Sequence, residues 1–209
     1  MAVVGVLALQ GDVAAHTAAL APLGHAVRPV KAPEHLAGCD GLVLPGGEST
    51  TMLKLLASEG LTGPVTAFCR SGAPVLGTCA GSILLARKVT SPEQPSLDVL
   101  DVDVQRNAYG RQLDSFVALA DEVLDDGLDP DRPLELVFIR APMILRTGPE
   151  VQVLVRHGGH PVAVRQGAVY ATTFHPEMTR DPRLLQRVFG GLPAGSPATG
   201  DADATGGGA

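Results

Sequence analysis

The chain has 209 residues, a net charge of -6, 45% hydrophobic residues and only 3% aromatic ones. At roughly 100–200 residues per domain, that length suits one domain carrying a tail. A mildly acidic, aromatic-poor chain lacks both the basic footprint and the stacking platforms of a nucleic-acid binder.

The first ninety residues alternate strand and helix patterns. AVVGVLAL (2–9) is a continuous apolar run, as in a strand covered on both faces. It lacks the basic flank and cleavage-like site of a signal peptide. No run approaches the ~18 apolar residues of a membrane span. A helix is expected over 12–22, then strands over 25–31 and 41–45. STTMLKLLASEG (49–60) reads as a helix with Ser49 as N-cap and Gly60 past its end. Another helix is expected over 61–71, a strand over 73–78 and a helix over 80–88. Such alternation implies a parallel sheet with helices on both faces.

The second half is mostly short β segments: 97–105, 114–120, 134–139, 151–155, 161–165 and 168–174. Glycine and proline between them point to antiparallel hairpins, with GGHP (158–161) as one turn. A last helix is expected over 181–190. The residues from 193 to 209 are low-complexity and read as a disordered tail, which leaves 1–192 as the domain. The predicted fold class is therefore α/β, with a mixed, mostly parallel central sheet.

Three cysteines, Cys39, Cys69 and Cys79, are odd in number and form no CxxC pair. That argues against a disulfide framework or a structural zinc site and fits a reducing, cytoplasmic compartment. Cys39 and Cys69 read as small buried hydrophobes. Cys79 differs, because GTCAG places it between a strand and a helix with glycines on either side. This is nucleophile-elbow logic with cysteine in place of serine, and a helix N-terminus favours a thiolate. Taken singly, the pattern also fits a core cysteine.

A nucleophilic thiolate needs an acid for its leaving group. His16, His25 and His35 have no acidic neighbour at useful spacing, and His157 and His160 flank a hairpin turn. His175 opens HPE, where the proline stiffens the turn and Glu177 at i+2 can orient the imidazole. A surface turn with a chance acidic residue is the bland alternative. PGGEST (45–50) offers free backbone N–H groups between a strand and a helix. It reads as half of an oxyanion hole, with one donor at Gly47 and one at Ala80, or as an ordinary connection. A phosphate loop fits less well, since the G-x-x-x-x-G-K-[ST] pattern is missing and Glu48 would repel phosphate.

Together these parts resemble the class I (triad-type) glutamine amidotransferases, whose flavodoxin-like fold is a three-layer sandwich. Within them the chain is similar to the glutaminase subunits of pyridoxal 5'-phosphate synthase. LALQGD (7–12), LPGGESTTM (44–52), GTCAG (77–81), QRNAYGRQLDSF (105–116), FIRAP (138–142) and TFHPE (173–177) carry the likeness across residues 1–190. Ser82, after TCAG, stands where an apolar residue is common in the family.

The resemblance implies hydrolysis of L-glutamine by Cys79, His175 and Glu177, with no metal or cofactor. It implies glutamine contacts at Gly47, Glu48, Ser49, Arg106, Ile139 and Arg140, with Glu48 a candidate for the α-ammonium. Without it, Arg106 and Arg140 read equally as solvated arginines or as cations at strand ends. It also implies a partner, a (β/α)8-barrel synthase subunit that receives the ammonia and makes pyridoxal 5'-phosphate from ribose 5-phosphate and glyceraldehyde 3-phosphate. Gln10, at the end of the first strand, is a candidate for sensing that partner. Rival readings are a glutaminase subunit feeding another synthase, such as imidazole glycerol phosphate synthase, a cysteine-elbow hydrolase on a related fold, and a non-catalytic scaffold.

Overall fold

A computed structural model describes residues 1–106, 108 and 115–193. The tail predicted over 193–209 therefore lies outside the described residues apart from Pro193, as do parts of QRNAYGRQLDSF. The first half runs β1 (Val3–Leu7), α1 (Val13–Leu20), β2 (Ala26–Val30), β3 (Gly41–Leu44), α2 (Ser49–Ser58), α3 (Thr62–Cys69), β4 (Val75–Thr78) and α4 (Ala80–Leu85). The second half runs β5 (Ala86–Thr90), β6 (Leu100–Gln105), β7 (Ser115–Leu119), β8 (Glu122–Val123), β9 (Glu135–Ile139), β10 (Met143–Thr147), β11 (Gln152–His157), β12 (His160–Gln166), β13 (Val169–Thr172) and α5 (Arg183–Phe189).

An eight-stranded sheet has the order β2-β1-β3-β4-β13-β12-β11-β8. The pairs from β2 across to β13 are parallel, and those from β13 to β8 are antiparallel. Strands buried on both faces need mostly apolar side chains, and β3, β4 and β13 have them apart from Thr78 and Thr172 at the site end. In β3, Leu42 and Leu44 join one core while Val43 joins the other, and in β4 Val75 and Leu76 divide in the same way. One core takes α2, α3 and α4 through Met52, Leu56, Val65 and Leu84. The other takes α1 and α5 through Leu20, Leu184, Val188 and Phe189. Pro29 lies in β2, an edge strand, where a missing N–H leaves no ladder bond broken.

The second half departs from the sequence reading where strand pairing decides the structure. Helix α4 stops at Leu85 rather than Lys88, because Ala86–Thr90 turns out to pair with β6. That pairing, with β10 added, builds a second three-stranded sheet, and its β-branched Val89 is buried there. Strand β10 and the two-residue β8 had no clear sequence signal. The GGHP turn is the β11–β12 connection: Gly158 and Gly159 both have positive φ (59° and 78°), as a type I′ turn requires.

Candidate active site

β4 and β13 are neighbouring parallel strands, with Thr78 in register with Thr172. Their C-terminal ends therefore lie side by side, where ligands bind in sheets of this kind. Cys79 directly follows one strand, and His175 follows the other after two residues.

Cys79 sits at φ 49°, ψ −103°, a strained conformation for a residue with a Cβ. Its surroundings hold it there. Its N–H donates to Thr172 O at 2.8 Å, and its carbonyl accepts from Ser82 Oγ at 2.6 Å. Ser82 thus serves the elbow with a satisfied buried hydroxyl. A Cβ at Gly81 would overlap Leu44 O, and one at Gly77 would press on Leu85 Cδ1 and Gly81. The glycine frame is a packing requirement: α4 lies directly on β3 and β4.

His175 Nδ1 is 2.7 Å from Glu177 Oε1, and both side chains are largely enclosed. The His175 N–H donates to Val137 O at 2.8 Å, which fixes the turn to β9. Burial alone would lower the His175 pKa. The hydrogen bond with Cys79, then that with Glu177, and then the charges of both outweigh it and raise the value to about 10. The other thiols lack such an environment. Burial pushes Cys69 up to about 12, and it raises Cys39 as well.

The PGGEST loop faces this pair. A Cβ on Gly46 would stand 2.5 Å from His175 Cε1 and 3.5 Å from Cys79 Cβ, so the loop is in contact with the reacting groups. Gln10 Oε1 accepts from the Glu48 N–H at 2.9 Å and sits beside Gly47. Ser49 is not the N-cap of α2. Glu48 is: its Oε2 accepts from the Thr51 N–H at 2.9 Å and from the Thr50 hydroxyl. The Ser49 hydroxyl turns instead to Gln94 Oε1, at 3.0 Å. Glu48 Oε1 pairs with Arg106 Nη2 at 2.8 Å. The Thr50 hydroxyl, then the Thr51 groups and Arg106, hold the Glu48 carboxyl below its ordinary range against the opposing effect of burial.

Gly47, Glu48, Ser49, Cys79, Ala80, Arg106, Ile139, Arg140, His175 and Glu177 line one cavity of about 320 Å³. Ala80 is the first residue of α4, so its N–H has no partner within the helix. Ile139 O lies 3.7 Å from Cys79 Sγ. Arg140, directly after β9, has φ 44°. The sequence-level candidates thus converge, except Gln10, which stands behind the Gly47 loop.

His16 is the residue that sequence spacing missed. It is fully buried, with Nε2 3.3 Å from Thr78 Oγ1 and 3.4 Å from Glu177 Oε1. Its acidic neighbour lies far along the chain, so no local pattern could reveal it. His157 is not a solvated turn residue either: its ring stacks on Phe138 with centroids 5.6 Å apart. Among the described residues no group of His, Cys, Asp and Glu forms a metal site, and no helix is long and apolar enough to cross a membrane.

The sequence model of the SNO glutamine amidotransferase family matches residues 6–189. The chain belongs to that family. A relative from Acidothermus cellulolyticus, named pyridoxal 5'-phosphate synthase subunit PdxT, is 54% identical over 188 residues, covering 87% of this chain and 89% of its own length. A protein of the same name from Deinococcus radiodurans is 52% identical, covering 90% of this chain and 96% of its own. A crystal structure described as a glutamine amidotransferase superposes with a TM-score of 0.81 at 48% identity, covering 88% of this chain and 96% of that one. A Thermotoga maritima glutamine amidotransferase shares the fold at a TM-score of 0.61 and 16% identity, covering 90% of this chain and 89% of its own. The SNO family assignment thus spans the whole region that builds the site.

Proposed function

We propose that this chain hydrolyses L-glutamine to L-glutamate and ammonia as the glutaminase subunit of a pyridoxal 5'-phosphate synthase. The observation that carries the reading is the meeting, in one cavity, of the Cys79 elbow, the His175–Glu177 pair and the PGGEST loop. The names of relatives at 52–54% identity supply the choice of synthase.

The steps follow from the charges. The Cys79 thiolate attacks the side-chain amide carbon, and the N–H groups of Gly47 and Ala80 receive the developing oxyanion. His175, charged at neutral pH, gives its proton to the departing ammonia, leaving a thioester. Having given its proton to ammonia, the neutral imidazole is the base that activates water for deacylation. Arg106 and Arg140 take the α-carboxylate and Glu48 the α-ammonium, with Ser49 and Ile139 shaping the walls. Glu48 already shares its carboxylate between Arg106 and the α2 N-cap, so glutamine binds against a preset ion pair.

The ammonia passes to a separate (β/α)8-barrel synthase subunit. Gln10 holds the Glu48 N–H behind the oxyanion loop, a position that suits a residue relaying partner docking to Gly47. Unchanged partner stimulation in Gln10→Ala would remove that role. A cytoplasmic setting is supported by the three free thiols. The test is ammonia release from L-glutamine by the chain alone and with the synthase subunit, with Cys79→Ser as control. Partner-stimulated release lost in Cys79→Ser, by about 10²-fold or more, is expected. Release that ignores the partner, or survives the substitution, overturns the reading.

A further inference from the structure

His16 lies outside the cavity lining, in the middle of α1, and is 0% exposed. Burying an imidazole among apolar neighbours is unfavourable unless its polar atoms are used. Nε2 is used: Thr78 Oγ1 is 3.3 Å away and Glu177 Oε1 is 3.4 Å away. Nδ1 is buried without a hydrogen-bond partner among the described residues, and so is Glu177 Oε2. The carboxylate that orients His175 is therefore held through one oxygen, and His16 Nε2 is the second nitrogen within 3.4 Å of it.

The proton on His16 can be placed by elimination. Burial, helped by the nearby His175, holds its pKa below the usual histidine range, although Glu177 and Asp12 oppose this. The ring is neutral and carries one N–H. With that proton on Nδ1, a donor would be buried unsatisfied and the Nε2 lone pair would face a carboxylate. With it on Nε2, the N–H has Thr78 Oγ1 and Glu177 Oε1 within 3.4 Å of its nitrogen, and only an acceptor goes unmet, the milder defect.

We propose that His16 is a positioning residue for glutamine hydrolysis, its Nε2–H holding Glu177 Oε1 against His175 Nδ1. This rests on Cys79, His175 and Glu177 acting as the triad. It makes α1 part of the catalytic apparatus, because the seating of that helix sets the carboxylate.

The test is steady-state glutaminase kinetics with the synthase subunit present, comparing wild type with His16→Leu, His16→Gln and Glu177→Ala. Glutamine can offer an N–H near the position of Nε2, whereas leucine cannot. His16→Leu should lower kcat about 10–100-fold, the scale of a small misplacement of a reacting group. KM should stay within about threefold, because His16 does not line the cavity. His16→Gln should recover most of kcat. Equal losses in folded Leu and Gln variants would overturn the proposal, since packing alone would then matter. Wild-type kcat in Glu177→Ala would overturn the triad reading; a crippled Glu177→Ala beside an unaffected His16→Leu would overturn this proposal only. Independently of any variant, ¹⁵N-histidine NMR of the wild type should show neutral His16 protonated on Nε2 near pH 7. A proton on Nδ1, or a charged ring, would overturn it.

Discussion

A cysteine at φ 49° is held in place at some energetic cost, and at Cys79 that cost goes with a charge arrangement. His175 has its pKa raised to about 10 because the thiol side and Glu177 together outweigh burial. The sign of the consequence is definite. A histidine with a raised folded-state value contributes stability in full below its ordinary value of about 6.5 and loses it as pH rises toward 10. Wild type should therefore lose melting temperature between pH 6.5 and 10. Cys79→Ala removes the leading favourable interaction, so its decline should be smaller and should end at lower pH. Parallel melting curves across that range check this, and identical profiles would show that the thiol and imidazole are not coupled. Activity should fall over the same alkaline limb, since acylation needs the imidazolium.

At the scale of elements, the site stands on loops whose spacing was legible and whose contacts were not. GTCAG and HPE announced an elbow and a held histidine because strand, turn and helix signals are local. Gly46 stood in PGGEST only as part of a loop with free N–H groups. In the fold it is the residue over which His175 lies, and an added Cβ would meet the ring at 2.5 Å. Gly46→Ala should displace the imidazole and lower kcat by about 10²-fold while changing stability by about 1–3 kcal/mol. Kinetics alongside thermal melts separate the two effects, and an unchanged kcat would mean that the loop yields instead. His16, β10 and the switch from α4 to β5 were hidden for one reason. Each is decided by a partner far along the chain, Glu177 for the first and β6 for the other two. Ser49 was misread at closer range: a serine before an apolar period signals an N-cap, but Glu48 can cap as well and also reaches Arg106.

At the scale of the molecule, the question is what holds β9 where it supplies Ile139 and Arg140 to the cavity and Val137 O to His175. The segment before β9 is fastened by one side chain from the start of α5. Arg183 is 8% exposed. Its guanidinium donates to Leu128 O, Asp129 O, Arg132 O and Pro133 O, and forks onto Asp181. Asp181, its charge balanced by this pairing, is held below the usual carboxylate range against burial. Replacing the arginine with methionine keeps the apolar stem, leaves the Asp181 carboxylate without its cation, and removes this donor from the Leu128, Arg132 and Pro133 carbonyls. Breaking a buried pair in this way costs about 3–5 kcal/mol. For a chain of this size that is roughly 6–20 °C in melting temperature. Lysine keeps the charge but not the planar fork, so Arg183→Lys should recover only part of the loss. Below its melting temperature the methionine variant should show a raised KM for glutamine, because β9 carries two walls of the cavity. A methionine variant within about 1 kcal/mol of wild type, with KM unchanged, would mean that β9 is seated by the Phe116–Phe138 stack and the apolar core around Leu136.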